Sequence, residues 1–459
     1  MTKAIEEVYS ALKGQFRGDL VRPEDAEYQQ ARRIWNGMVA RKPGLIACCA
    51  DVTDIQATVR AAASFGVLAA VRCGGHSLAG FSTCDGGLVI DLSKMRQVTV
   101  DREARRGRLA GGCLLGSVDV VTQEHGLAFP AGVVSHTGAS GLILGGGFGW
   151  LTRLHGLSCD NLEGFTLVTA DGSVVHADAR ENADLFWALR GGGGNFGVVT
   201  RFDVKLHPVT SVLLGEGLCL ADDIPRLLRR WRDYMPEAPD EFKWNLNLRL
   251  AADTENVPAN VRGRPVASES VIWIGDPEQG RPYVDHALSL CNVAVTRKVI
   301  SFLTLQTMAD DEFPHGRRYY TKSGYFKSLD DTCIYQMVDA LATVPSPMTQ
   351  IELAYLGGAT TQVAAAETAF GDRSSPFVLN LLANWLDPGD DAANVSWVRN
   401  LFKVLRPGMT PGVYVNFMSG DEEDRVPEAY RERWERLVAV KSHYDPTNLF
   451  RLNQNIPPH

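Results

Sequence analysis

A glycine-rich segment near the N-terminus, RCGGHS at residues 72–77, directly follows the apolar run VLAAV at residues 67–71. A short apolar run bounded by glycine predicts a buried strand. Two adjacent glycines let successive backbone N–H groups converge on an anion, because glycine reaches positive φ without a steric penalty. Arg72 would add charge and Ser77 a hydroxyl donor. The segment therefore predicts a phosphate-binding turn with His76 beside the ligand, although a loop histidine held by hydrogen bonds gives the same pattern.

Glycine is concentrated in one part of the chain, which indicates a large ligand lying along backbone. The 44 glycines cluster between Gly74 and Gly197, in runs such as GGGGNFG at 191–197. This run formally contains G-x-G-x-x-G, but a Rossmann site needs a strand before it and a helix after it. Here a predicted helix at 182–189 precedes the run and a predicted strand at 198–206 follows it. A nicotinamide Rossmann site is therefore not indicated, and the sequence has no P-loop motif.

The composition is that of an acidic globular protein. Of the 459 residues, 45% are hydrophobic and 22% are charged, which predicts two or three domains with sizeable cores. The net charge of -8 makes nucleic acid and anionic membranes poor partners. No apolar run reaches the ~20 residues of a membrane helix, and the first residues lack a secretory pattern. We therefore expect a cytoplasmic location.

The cysteines suggest a reduced protein without a structural metal. There are nine of them, an odd number, and they are scattered along the chain without a C-x-x-C pair. That pattern favours buried thiols over a disulfide framework or a zinc site. We expect no metal.

Periodicity divides the chain into three parts and predicts an α+β fold. The first part, up to Pro208, alternates helices and strands and includes a hairpin at 165–176 around Asp171-Gly172. From there to about residue 408, glycine is sparse, and strands with outward polar alternation are separated by helices. The last part is typical of a tail that packs onto an existing structure. The predicted elements are helices at 50–66, 116–125, 182–189, 279–290 and 329–343, and strands at 67–72, 88–92, 198–206, 243–250 and 268–274.

Six segments spread over nearly the whole chain carry a family resemblance. In this order they resemble the covalent flavoproteins of the vanillyl-alcohol-oxidase superfamily, which have a PCMH-type FAD-binding domain. The most similar branch is that of the berberine-bridge enzymes and 6-hydroxynicotine oxidases. Each motif is modest, but a chance match of six motifs in one order is very rare. The segments are RCGGHS (72–77), SHTGASGLILGGGFGWL (135–151), DN (160–161), DLFWALRGGGGNFGVV (184–199), YVN (414–416) and YDPTNLFRLNQN (444–455).

The resemblance implies a domain organisation and a cofactor. An FAD-binding domain would consist of residues 1–207 and 409–459, with an α+β substrate domain built on an antiparallel sheet inserted at 208–408. FAD would lie extended over the glycine-rich loops. The residues that the resemblance assigns to FAD are Arg72, Cys73, Gly74, Gly75, His76, Ser77, Val134, Thr137, Gly138, Gly141, Leu142, Gly145, Gly147, Gly149, Asn195, Gly197, Val198, Val199, Tyr414, Asn416 and Asn453.

The resemblance also implies a covalent flavin. In this family the histidine matching His76 is bonded to the 8α-methyl carbon of the flavin, which raises the reduction potential and prevents dissociation. Many members carry a second link from a cysteine at the position of Val134, and valine cannot form a thioether. We therefore expect a single link through His76, with Cys113 and Cys159 as core thiols. His136 is interpreted as a structural part of the flavin loop.

Oxidation at flavin N5 requires a base that takes the substrate proton. Glu352 is the first candidate, because in related enzymes this strand faces the flavin, although an exposed strand carboxylate is an equal alternative. Tyr414, in a strand that closes over the flavin, and Tyr319 are further candidates. Several relatives have a tyrosine base where this chain has Phe417, a departure that puts simple sugar or alcohol oxidation in doubt. Weaker candidates for the pocket are Tyr320, Lys322, Asn245 and Asn247.

The expected function is FAD-dependent oxidation of a small organic substrate, with molecular oxygen as acceptor and hydrogen peroxide as product. Thr137 and Leu142 match positions that, in one flavoenzyme of the group, shape a small pocket where oxygen reacts. They are equally compatible with a flavin-dependent oxygenase. The same motifs would also suit a dehydrogenase with another acceptor or a flavin-binding protein without catalysis. No motif identifies the substrate or the oligomeric state.

Overall fold

The computed structural model describes residues 2–291 and 293–459. The strands of this part are β1 (Asp19–Val21), β2 (Leu45–Cys48), β3 (Ala69–Arg72), β4 (Leu88–Asp91), β5 (Val98–Asp101), β6 (Arg106–Ala110), β7 (Leu127–Ala128), β8 (Leu162–Val168), β9 (Val174–Asp178), β10 (Val198–Lys205), β11 (His207–Pro208), β12 (Ser211–Leu220), β13 (Phe242–Leu250), β14 (Pro265–Ile274), β15 (Val293–Ser301), β16 (Arg318–Phe326), β17 (Gln350–Tyr355) and β18 (Phe377–Trp385). The helices are α1 (Lys3–Leu12), α2 (Tyr28–Ala31), α3 (Val52–Ser64), α4 (Leu115–Gln123), α5 (Ala139–Leu144), α6 (Thr152–His155), α7 (Ala183–Leu189), α8 (Ile224–Tyr234), α9 (Pro277–Leu288), α10 (Phe302–Thr307), α11 (Asp331–Ala340), α12 (Ala359–Gln362), α13 (Asp391–Leu405), α14 (Val426–Tyr430) and α15 (Trp434–Tyr444).

The first sheet has the order β1-β2-β4-β3, with β2 and β3 parallel to β4 and β1 antiparallel to β2. Strands β2, β3 and β4 are short, apolar and mostly buried, and α1 and α3 pack on the sheet through residues such as Ile5 and Ile55. Helix α3 begins after Asp51, whose carboxylate accepts hydrogen bonds from two N–H groups of the first turn. Strand β3, at one edge of this sheet, leads directly into the segment that contains His76.

The second sheet is antiparallel, with the order β5-β6-β10-β8-β9. The predicted hairpin is present as β8 and β9, and Gly172 in its turn has φ +77, a conformation that favours glycine. Phe165 and Phe202 lie in the core beneath this sheet, together with α7. Strand β11 pairs with β7 and ends at Pro208, where the chain enters the third sheet.

The third sheet is antiparallel with the order β15-β12-β14-β13-β17-β18-β16. Helices α8, α9, α11 and α13 cover one face, where Trp244, Leu246 and Leu248 of β13 join their core. Since side chains alternate along a strand, Lys243 and Asn245 point to the opposite face. The predicted antiparallel sheet is confirmed, but its polar face is turned towards a cavity rather than outward to solvent.

The C-terminal segment returns to the core of the second sheet. Val413, Leu437 and Ile456 belong to the same buried cluster as Phe165 and Phe202. This is the packing expected for a tail that completes the first domain, because its apolar residues have no core of their own. The limits at 207/208 and 408/409 stay predictions.

One predicted element differs from the structure. The sequence predicts a strand at Tyr414, but the chain there is extended only up to a 3-10 turn, Val415–Phe417. The side chain of Asn416 donates to the carbonyl of Leu142 and to the Tyr414 hydroxyl, so the segment is held by side-chain bonds instead of a ladder partner. No helix within residues 2–291 and 293–459 is long and apolar enough to cross a membrane. All nine cysteines are unpaired.

Candidate active site

A cavity of about 1020 Å³ lies between the glycine-rich loops and the polar face of the third sheet. The loops after β3 and β7 form one wall, and β13, β14, β17 and β18 form the wall opposite. Most residues assigned to FAD line this cavity. They are Cys73, Gly74, Gly75, His76, Ser77, Val134, Thr137, Gly138, Gly141, Leu142, Gly149, Gly197, Val199, Tyr414, Asn416 and Asn453.

Five residues assigned to FAD lie behind the cavity wall. Arg72 is buried and paired with Asp91, so its charge is neutralised within the protein. The backbone N–H of Gly147 donates to the Tyr414 hydroxyl at 3.0 Å. Asn195 binds the C-terminal segment, since its side chain donates to the carbonyl of Gln454 and accepts from a later N–H. Gly145 packs against the side chain of Asn416. Val198 is the first residue of β10 and pairs with β8.

The loop after β3 fits the pyrophosphate of FAD. Within the described residues, the N–H groups of Gly75, His76 and Ser77 donate to no protein acceptor. Gly75 has φ +71, and successive free N–H groups around such a residue form a concave anion site. At Gly141, which lines the same cavity, an added Cβ would meet no protein atom within 4 Å. Both features suit a ligand lying against backbone.

His76 lies in a cluster of three imidazoles. Its Nε2 is 2.7 Å from Nδ1 of His136, and its Nδ1 is 3.4 Å from the Thr137 hydroxyl. The ring stacks on Trp35 with centroids 4.8 Å apart. Burial, followed by the neighbouring His136 and His315, holds the pKa of His76 well below its ordinary value, which favours the neutral imidazole. The ligand atoms of the three histidines lie within 4.8 Å of one another.

A row of polar side chains crosses the sheet opposite. Ser268, Asn247, Glu352 and Asn380 are register partners on four neighbouring strands, β14, β13, β17 and β18. All four line the cavity. On β13 the next cavity-facing residue is Asn245, whose side-chain carbonyl oxygen is buried without a partner. The row therefore offers donors and acceptors to a bound substrate.

Glu352 is the strongest candidate for a base. One oxygen of its carboxylate accepts from the side-chain amide of Asn380 at 2.7 Å, and Asn380 in turn accepts from the hydroxyl of Thr321. Burial raises the pKa of Glu352 to about 7, and the nearby Glu312 adds to the increase. A carboxyl with this pKa is divided between its acid and base forms near neutral pH. The alternative of an exposed strand carboxylate is wrong.

The two tyrosine candidates differ in position. Tyr414 lines the cavity, but its hydroxyl already accepts from the N–H of Gly147 and from Asn416 at 2.8 Å. Burial raises its pKa, so it is a poor base. Tyr319 lies outside the cavity: its hydroxyl donates to the carbonyl of Pro314, and its ring stacks on Trp35. The structure therefore does not bring Tyr319 to the reacting centre.

The weaker candidates are also divided. Asn245 and Asn247 lie in the cavity wall. Tyr320 and Lys322 instead face the opposite side of β16, where both bind the carboxylate of Asp421. Phe417 lines the cavity and packs on Tyr414, so an aromatic ring without a hydroxyl stands at the position of the usual base.

The structure adds two residues to the predicted cavity lining, Lys243 and Asn380, and brings His136 into contact with His76. Lys243 is buried, donates to the carbonyl of Gly149 at 2.6 Å, and has a pKa lowered to about 7 by burial and by Arg153. Lys243 could have been predicted from the sequence, because it stands two residues before Asn245 on the same strand and therefore shares its face. Asn380 lies in an apolar strand, where no pattern marks it. The contact of His136 with His76 joins residues 60 positions apart.

Comparison with known proteins agrees with this architecture. The family described as "FAD binding domain" matches residues 43–178, and the family described as "Berberine and berberine like" matches residues 413–457. An FAD-linked oxidoreductase of Dictyostelium discoideum is 32% identical over 452 residues, which cover 96% of this chain and 95% of the relative. The (R)-6-hydroxynicotine oxidase of Paenarthrobacter nicotinovorans is 31% identical over 464 residues, which cover 96% and 97%.

Solved structures share the whole fold. The 6-hydroxy-D-nicotine oxidase from Arthrobacter nicotinovorans matches with a TM-score of 0.84 and 27% identity, over 97% of this chain and 98% of that one. The BBE-like 1 protein of Physcomitrella patens matches with a TM-score of 0.88 over 100% of both chains, at 24% identity. Because relatives more than 30% identical cover nearly the whole chain, it belongs to the berberine-bridge-enzyme-like family of FAD-linked oxidoreductases.

Proposed function

We propose that this enzyme is an oxidase that holds FAD through a single covalent bond to His76 and oxidises a small organic substrate with molecular oxygen. One observation carries the proposal. His76 and Glu352, which come from opposite walls, line the same cavity, and Glu352 is a half-buried carboxyl with a pKa of about 7. FAD, when bound by the glycine-rich loops, supplies the hydride acceptor.

The protein supplies the base and the orientation of the substrate. Glu352 takes the proton that the substrate loses, and the bond from Asn380 fixes the plane of the carboxylate. Asn247 and Ser268 extend the polar row beyond Glu352. A substrate with several hydrogen-bonding groups fits this surface better than a hydrocarbon, because buried polar groups without partners cost free energy.

Oxygen would react at the opposite wall. Thr137 and Leu142 line the cavity on the side of the glycine-rich loops. Neither side chain carries a charge that would keep apolar oxygen away. This arrangement supports an oxidase and is also what a flavin-dependent oxygenase would need.

Acid precipitation tests the covalent bond directly. The purified enzyme is expected to carry its flavin into the acid pellet, and the His76→Ala variant is expected to leave it in the supernatant. His443→Ala, at an exposed histidine outside the cavity lining, is the control and should keep the flavin. Acid-stable flavin in His76→Ala would show that the proposed attachment is wrong.

Substrate probes test the reaction. We would add (R)-6-hydroxynicotine, the compound named for one relative, and monolignols, named for an Arabidopsis thaliana relative, under anaerobic conditions and follow the flavin absorbance. A probe that bleaches the flavin and then yields one hydrogen peroxide per turnover in air supports the oxidase. Oxygen-18 from labelled gas in the product would instead indicate an oxygenase, and slow reaction of the reduced enzyme with air a dehydrogenase.

A further inference from the structure

The contact between His76 and His136 allows two positions for the proton of His76. A neutral imidazole has one N–H donor and one lone pair. Across the 2.7 Å contact, Nε2 of His76 either donates to His136 or accepts from it. Donation leaves a lone pair on Nδ1 of His76, which faces the Thr137 hydroxyl at 3.4 Å. In this arrangement the hydroxyl donates to Nδ1, so both contacts are satisfied.

We propose that His136 prepares His76 for bonding to the flavin, by accepting the Nε2 proton and leaving Nδ1 as the nucleophile. This inference rests on the proposed attachment at His76. Nε2 is already engaged by His136, whereas Nδ1 has only a weak partner. The stack on Trp35 keeps the ring in this orientation. His136 is a positioning residue here, because it acts on the flavin only through His76.

The bonding step conserves atoms and electrons. A bond forms between Nδ1 of His76 and the 8α carbon, and one C–H bond of the flavin 8-methyl group breaks. The two electrons enter the flavin ring, from which molecular oxygen removes them. The methyl hydrogen and the Nε2 hydrogen leave as protons to the protein and solvent, and oxygen takes up two protons with the two electrons to form hydrogen peroxide. Without a proton acceptor, the substituted imidazole would carry a positive charge in a buried site, which is costly.

The third histidine gives the proton an exit. The ring of His315 lies 4.9 Å from that of His136, centroid to centroid, and His315 is exposed. An exposed imidazole therefore stands beside His136, where it can relay the accepted proton to solvent. The same three imidazoles are also suitable ligands for a transition metal. A bound metal would coordinate the nitrogen lone pairs of His76 and His136 that the attachment needs.

The rate of attachment tests the inference. The full chain, produced under riboflavin limitation, would be mixed with FAD, and acid-stable flavin and intact mass would be followed over time. For His136→Ala we expect FAD to bind but acid-stable flavin to form at least tenfold more slowly, with the rate rescued by added imidazole. His136→Asn, whose amide accepts the hydrogen bond but not the proton, should be intermediate. His443→Ala is the matched control.

The outcomes separate the inference from the function on which it rests. A wild-type attachment rate in His136→Ala or His136→Asn would overturn the role of His136 while leaving the attachment at His76 intact. Acid-stable flavin in His76→Ala would overturn the attachment itself. If EDTA stops attachment in the wild type, a metal bound by the histidines acts there and the proton-acceptor role is wrong.

Discussion

At the scale of single residues, the chemistry depends on how burial shifts the pKa values of acidic and basic side chains. Glu352 is held in the cavity wall by one hydrogen bond from Asn380, and burial raises its pKa to about 7. A base must be deprotonated to act, so catalysis by this group should increase as pH rises through 7 and level off above it.

Glu352→Gln tests this dependence. We expect the rate constant of flavin reduction to fall by roughly 10²- to 10⁴-fold and to lose its rise near pH 7, because the amide cannot take the proton. Stopped-flow reduction by a probe that bleaches the wild type is the measurement. Glu181→Gln, at an exposed carboxyl outside the cavity lining, should behave as the wild type. An unchanged pH profile in Glu352→Gln would remove Glu352 from the reaction.

Single residues were predictable where a local pattern marked them. His76 stands in a glycine turn, and Glu352 in an alternating strand, so both could be named from sequence. The sequence favours a structural role for His136, because its partner lies 60 residues away and only the folded loops bring the rings together. Tyr319 is suggested by composition alone, and packing against Trp35 places it outside the cavity.

At the scale of elements, the end of α15 joins the C-terminal segment to the glycine-rich loops. The Lys441 ammonium donates to Asp445 at 2.6 Å and to the carbonyl of Asn195 at 2.8 Å. Both side chains of the pair are fully buried. Asp445 also accepts from the N–H groups of Leu449 and Phe450, so one ion pair orders the helix end, the turn after it and the loop before β10.

Lys441→Met should destabilise the protein by about 3–5 kcal/mol, because it leaves a buried carboxylate without its cation. The chain offers a matched control with the same spacing. Lys3 and Glu7 on α1 are 4.0 Å apart and exposed, and Lys3→Met should cost less than about 0.5 kcal/mol. Urea unfolding followed by circular dichroism measures both. An equal loss of unfolding free energy in the two variants would show that the buried pair stabilises the fold no more than the exposed pair does.

Helices and strands could be predicted from the sequence where apolar and polar residues alternate with a regular period. The strands at 243–250 and 268–274 and the hairpin at 165–176 follow their alternation and turn residues. Alternation identifies the polar face of a strand but not what that face meets. The outward direction predicted for the polar side of β13 was therefore wrong, whereas its residues Asn245 and Asn247, named as weaker pocket candidates, do lie in the cavity wall. The turn Val415–Phe417 has a strand-like composition, and its conformation depends on bonds from Asn416 to a loop far away in sequence.

At the scale of the whole molecule, the cavity lies between parts of the chain that are separate in sequence. The glycine-rich loops form one wall and the third sheet the other. A ligand that fills this space contacts both, so its binding is linked to the stability of the complete fold.

Thermal unfolding should reveal this link. In His76→Ala, where FAD would bind reversibly, the Tm should rise with added FAD, since 100 times the Kd adds about 2.7 kcal/mol to the stability. In the wild type the covalent cofactor is already in place, and added FAD should not move the Tm. Differential scanning fluorimetry of both proteins over a range of FAD concentrations is the measurement. A rise in the wild type would mean that attachment is incomplete.

The overall architecture was predictable because six motifs occur in one order, whereas the lining of the cavity was not. The order implied the interrupted first domain and the antiparallel second one. The strand order β15-β12-β14-β13-β17-β18-β16 follows from long-range pairing, and with it the neighbours of Glu352. No local pattern encodes that Asn380, rather than an apolar residue, stands beside it.

The shared core of the first and last segments has a consequence for synthesis. Ile456 packs in the same cluster as Phe165, and its N–H donates to the side chain of Asn195. A ribosome that adds ~5–20 residues per second reaches Ile456 roughly 12–50 s after it has passed residue 207. Until then the flavin loops lack their support. A chain released before Ile456 cannot close this core, so we expect bound flavin only in nascent chains that extend beyond this residue.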